Sequence, residues 1–244
     1  MNGFYTSPAF IVGTLITMAA AAFAAVAQAR VSSTAKKYVS VETGSGMTGA
    51  EVAQAIMNKY GVSDVRIEKS TSGFLSDHYD PTKKVVRLSE EIYSGTSITS
   101  VSVAAHEVGH VLQHADGYKP LKLRSAIVPV VSLSSRLAPV VISIGFSLMV
   151  FGGQNTTILA VGALLLAVTV LFSLITLPVE FDASARALKI LPTISPEFAQ
   201  PAVMKSCTEM LKSAAMTYVA AAAAALAELL KVVLLLLQAR NRQN

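Results

Sequence analysis

Long uncharged stretches alternate with polar ones along this chain. Phe4 to Ala29 carries no charge, and a helix of that length crosses a hydrocarbon core of about 30 Å. Ala25-Val26-Ala27 resembles a leader cleavage site, but residues 1–8 lack the Lys or Arg of a signal peptide, so a retained anchor over 4–29 is expected. Leu137 to Val179 is also free of charge, broken by Gly152-Gly153-Gln154-Asn155. That pattern predicts two antiparallel spans, 126–152 and 156–179, the first starting before a snorkelling Arg136. A fourth apolar segment, 214–238, contains Glu228 and Lys231, which lie one helical turn apart and read as an internal ion pair. Runs of alanine at 19–22 and 220–225 give the first and last spans small surfaces suited to close packing.

The stretch 30–125 is polar and patterned differently. Thr48-Gly49-Ala50-Glu51 is a capping box opening a helix to about Tyr60, with Val52, Ile56 and Met57 on one face. Val62 to Glu68 and Lys84 to Leu88 read as strands, the second introduced by the turn residues Asp80-Pro81-Thr82. A helix from about Ser97 to Ala115 stops at Asp116-Gly117. This is a small α+β domain, too small for a large core of its own. A polar segment at 180–212, opened by Pro178, follows the third span.

Composition narrows the class. Hydrophobic residues make up 52% of the 244, and charged ones only 14%, against roughly 25% in soluble domains. The net charge of +5 is not a nucleic-acid signal: no basic cluster is interleaved with aromatics, and Trp is absent. Arg30, Lys36, Lys37, Lys119, Lys122 and Arg124 flank the apolar runs instead. By the positive-inside rule they predict an integral membrane protein, of the cell membrane, with its polar domain cytoplasmic. Arg240 and Arg242 run against that rule if the last segment crosses fully. Cys207, the one cysteine, excludes an intrachain disulfide and a thiolate-rich zinc site.

The chemistry concentrates in His106-Glu107-Val108-Gly109-His110. On a helix the two imidazoles, four residues apart, share a face and can reach one ion, while Glu107 can take a proton from a water the ion activates. Catalytic zinc takes a third protein ligand. Glu180 is the leading candidate, where an apolar span re-enters the polar phase after Pro178. Asp182 is the alternative, about 200° away around a helix, and Asp116 a weaker one. His114 reads as a helix-end or supporting group. His78 and Tyr79 are candidates to stabilise an oxyanion, or members of a cluster that fixes a turn, and Arg186 is either a partner of Glu180 or a surface charge.

Ser45-Gly46-Met47-Thr48-Gly49-Ala50-Glu51-Val52, Leu75-Ser76-Asp77-His78-Tyr79-Asp80-Pro81, the H-E-V-G-H helix, Leu177-Pro178-Val179-Glu180-Phe181-Asp182-Ala183-Ser184 and Thr217-Tyr218-Val219-Ala220-Ala221 resemble the YugP-type membrane zinc metallopeptidases, in order along nearly the whole chain. More distantly, the pairing of H-E-x-x-H with a later E-F-x-A helix is similar to HtpX-like proteases, which carry an aspartate where this chain has Ser184. The resemblance implies a zincin-like α+β catalytic domain with about four transmembrane helices, and gluzincin chemistry. In that chemistry Zn2+ sits on His106, His110 and Glu180, with Glu107 as the base. The expected activity is an endopeptidase acting near the cytoplasmic membrane surface. Its expected partners are the lipid bilayer and a peptide or membrane-protein substrate, not nucleic acid. The rival is a catalytically silent zinc-binding membrane scaffold.

Overall fold

The computed structural model describes residues 7–151 and 156–241. The expected turn at 152–155 and the first residues of the anchor lie outside them. In chain order the elements are α1 (Pro8–Tyr38), α2 (Gly49–Lys59), β1 (Arg66–Lys69), β2 (His78–Asp80), β3 (Val85–Leu88), α3 (Glu90–Ser94), α4 (Ile98–Ala115), α5 (Lys119–Phe151), α6 (Thr157–Ile190) and α7 (Pro201–Asn241). Short 3-10 turns at Leu191–Thr193 and Pro196–Ala199 join the last two helices. The chain divides into an apolar unit of residues 1–26, 123–176 and 218–244, and a polar unit of 27–122 and 177–217.

Helices dominate, and among the described residues four of them are long and apolar enough to cross a membrane. Within the apolar unit, large side chains such as Leu15, Leu133 and Leu164 are exposed, the opposite of a soluble surface and appropriate to a lipid one. Glycine sets the packing. A Cβ on Gly145 would stand 2.5 Å from the Leu159 backbone nitrogen, and one on Gly162 would stand 2.6 Å from Ile142 Cγ1, so α5 and α6 approach closely at both points. Gly13 of α1 likewise lies against the stem of Lys231 of α7, whose ammonium is 3.9 Å from Glu228. The hydroxyls of this unit turn back on their own helices: Ser143 donates to Pro139 O at 2.7 Å and Ser173 to Thr169 O at 3.0 Å.

Pro178 does not open a new helix, contrary to the sequence expectation. It lies inside α6, which runs unbroken from Thr157 to Ile190. Membrane helices tolerate internal proline because local adjustments and nearby hydroxyls satisfy the freed carbonyl groups. The third apolar run and Glu180 therefore belong to one helix.

In the polar unit, α2 begins with the expected capping box. Glu51 N donates to Thr48 Oγ1 at 3.2 Å, and Thr48 N donates to Glu51 Oε2 at 2.8 Å. The sheet order is β1-β3-β2, with β1 parallel and β2 antiparallel to β3. β2 was not expected, since three residues are too few to show an alternation. Val52, Ile56 and Met57 of α2 are fully buried with Val101, Ala104 and Val108 of α4. The same core takes in Ala187, Leu191, Phe198 and Met210, so residues 30–125 close their core only with help from the later polar segment. Cys207 is free and buried there, and burial pushes its thiol pKa up.

Candidate metal centre

α4 starts where Ser97 Oγ accepts from Ser100 N at 3.2 Å. Nearly every residue along it is buried. Its four-residue spacing places the rings of His106 and His110 edge to face, 4.8 Å between centroids, while Val108 points into the core. The variable position between them, Gly109, decides what can approach. A Cβ there would lie 2.6 Å from the carbonyl oxygen of Ala183 and 3.1 Å from its carbonyl carbon. Only glycine lets the backbone of α6 cross α4 at this point.

That crossing delivers Glu180, which lies one turn before Ala183. Glu180 is 2% exposed, with its Oε2 3.3 Å from His106 Nε2 and 3.6 Å from His110 Nε2. One ligand atom from each of the three residues lies within 4.8 Å of the others. Burial works against charge on Glu180, but the two imidazoles outweigh it and hold the carboxyl well below the ordinary range. His110 is raised in turn: burial opposes its charge, and Glu180 and Glu107 overcome that opposition. Two imidazole nitrogens and a carboxylate oxygen are a donor set that suits zinc, and three protein ligands leave a fourth position open.

The far side of each ring is fixed. His106 Nδ1 lies 3.1 Å from Ser184 Oγ. His110 Nδ1 lies 3.0 Å from Gln113 Oε1. Gln113 is itself fully buried, and its amide donates to Val179 O and to Asp182 Oδ2, each at 2.8 Å. Arg186 closes the chain of contacts, donating to Asp182 at 2.7 Å and pairing with Asp116. The two alternative ligands, Asp182 and Asp116, are thus both engaged by Arg186, and Glu180 is the carboxylate beside the imidazoles.

Glu107 is buried on α4 next to His106. Its charge adds to burial in pushing Asp77 up to about 6, which brings the loop before β2 into the site's electrostatics. Asp77 accepts from Ser89 N at 2.7 Å and from Ser89 Oγ at 3.1 Å. Tyr79, on β2, is pushed up to about 12 by burial first and then by Asp64 and Asp80. Its hydroxyl lies 2.7 Å from His114 Nδ1, within hydrogen-bond distance. His78 stays exposed, 2.9 Å from Ser76 O. Sequence reasoning missed Gly109 and Gln113. Neither has a local signature, although Gln113 does follow His110 by the three residues that share a helix face.

The chain matches the family described as "putative neutral zinc metallopeptidase" over residues 13–237. It is also 45% identical over 226 residues to the "putative membrane protease YugP" of Bacillus subtilis (strain 168), covering 93% of this chain and 97% of that one. No solved structure matches it. With both matches running over almost the whole length, the chain belongs to the neutral zinc metallopeptidase family, whose metal is zinc.

Proposed function

We propose that this chain is a membrane-bound, zinc-dependent endopeptidase of the gluzincin type. Its catalytic part is zincin-like, and it cuts peptide bonds near the cytoplasmic face of the cell membrane. The observation that carries the reading is the convergence of Glu180 with His106 and His110 across the Gly109 crossing. His106, His110 and Glu180 hold the zinc, with Ser184 and Gln113 fixing the two rings. When bound, the ion supplies Lewis acidity, polarising the scissile carbonyl and lowering the pKa of a water towards roughly 7.

Glu107 would be the base, accepting the proton of the attacking water and passing it to the leaving amine. The outer edge of β2 is available for an extended peptide to add as a further strand. The cations flanking the apolar runs favour a cytoplasmic polar unit. Glu180 follows directly on an apolar run, so loops and tails of membrane proteins are the natural substrates.

Zinc content and casein hydrolysis, measured together in detergent, test the reading. Glu107→Gln should keep one zinc per chain and lose roughly 10²–10⁴-fold in rate, while Glu180→Ala should lose the metal. Full zinc in Glu180→Ala would remove Glu180 as a ligand. Zinc in the wild type with no hydrolysis of casein or of a membrane-protein substrate would leave a scaffold.

A further inference from the structure

Ser184, which braces His106, also lines a groove of about 650 Å³ within the polar unit that none of the three proposed metal ligands lines. Its size falls within the roughly 300–1,000 Å³ of small-molecule sites. Phe181, Leu188, Leu211 and Met216 form an apolar wall, and Arg30, Lys205 and Lys212 stand around it. Phe181 is 48% exposed and Met216 is 37% exposed, so the wall is uncovered.

Three lines of observation identify an occupant. The first is charge. Glu209 is the carboxylate of the lining, and it is already engaged by Tyr38 at 2.7 Å and Lys37 at 3.3 Å, which leaves the three cations to set the sign. The second is hydrogen bonding. Thr208 and Ser213 both donate at 2.7 Å to carbonyls of their own helix, Met204 and Met210, so these hydroxyls offer little to a peptide backbone. The third is position. Arg30 is the first charge after the 4–29 run, Phe181 follows the run ending at Val179, and Lys212 precedes the one beginning at Ala214. Each wall element meets the groove where it passes between the apolar and polar phases, the level of lipid headgroups.

We propose that this groove binds an anionic phospholipid, its phosphate against Arg30, Lys205 and Lys212 and an acyl chain along Phe181, Leu188 and Met216. The inference does not depend on the peptidase reading, and its test needs no turnover.

The chain has no tryptophan, so a Met216→Trp variant carries a single reporter on the wall. The full-length protein is reconstituted in mixed phosphatidylglycerol–phosphatidylcholine vesicles, with one lipid or the other brominated at equal mole fraction. Brominated phosphatidylglycerol should quench Met216→Trp more strongly. The preference should fall roughly fivefold for each cation removed in Lys205→Gln and Lys212→Gln, the effect expected of one cation at an anionic surface. Leu164→Trp, on an exposed position of the apolar unit, should show no preference. Leu188→Trp serves as the reporter if Met216→Trp does not fold. Equal quenching by the two lipids, or a preference that survives loss of both lysines, would overturn the proposal. So would a reporter quenched by neither lipid while Leu164→Trp is quenched.

Discussion

In the apolar unit Ser143, Ser147 and Ser173 spend their hydroxyls on carbonyls four residues back in their own helices. In the polar unit Thr208 and Ser213 do likewise, but Ser184, Thr99 and Ser100 reach other elements: His106, Ala35 O and Glu91 O. Glycine is used alike in both units, at Gly145 and Gly162 in one and Gly109 in the other, to let two backbones come together. The difference lies in what the close approach serves. In lipid, a hydroxyl satisfied by its own helix leaves packing as the source of cohesion. In the polar unit the same approach brings ligand-bearing helices into register, and the side chains then tie them across the gap.

The largest break in this contrast comes from closing the two crossings. Gly109→Val and Gly145→Val both place side-chain atoms against backbone, at positions where a Cβ alone would meet 2.6 and 2.5 Å contacts. Each should lower the midpoint of thermal unfolding, at or above the upper end of the roughly 1–3 kcal/mol typical of overpacking. Only Gly109→Val should also strip zinc from the chains that remain folded, since it parts His106 and His110 from Glu180. Equal zinc content in the two variants would mean that the crossing does not set the site.

A smaller effect separates the hydroxyls. Ser184→Ala frees one face of His106 and should weaken zinc binding roughly 10–100-fold, the usual effect of losing a ligand's hydrogen-bond partner. Ser184→Asp should restore it, and Ser173→Ala should leave it unchanged. Competition with a chelator of known affinity reads all three. If Ser184→Ala bound zinc like the wild type, the 3.1 Å contact would be packing and nothing more.

Much of this was legible beforehand, because the signals were local. The capping box at Thr48, the uncharged runs and the four-residue spacing of His106 and His110 each have a physical period or a fixed offset. Glu180 was legible by position, at the end of an apolar run. The unbroken α6 was not: Pro178 resembles a helix start in sequence, and only a membrane helix's tolerance of proline carries it through. β2 was too short to carry a pattern. Gln113 was hidden for a different reason. Its worth lies in contacts to Val179 and Asp182, 66 and 69 residues away, and no local sequence rule reaches that far.

Asp77 offers the finest probe of the contrast, because it ties the polar unit together with a carboxylate that titrates. It accepts from Ser89, and burial, helped by Glu107, pushes it up to about 6, against about 3.9 in an unfolded chain. An acid raised on folding favours the folded state when protonated. Its contribution is therefore fully present below about pH 4 and is lost as pH rises through 6. Asp77→Asn keeps an oxygen for Ser89 but cannot ionise. Wild-type stability, measured as a urea midpoint and compared with Asp77→Asn at each pH, should decline between about pH 4 and 6 and then run level. Groups elsewhere, including those of the metal site, titrate in both proteins and largely cancel. Parallel curves across that window would place Asp77 in solvent and detach the loop before β2 from the site; a declining difference would make it the electrostatic neighbour of Glu107.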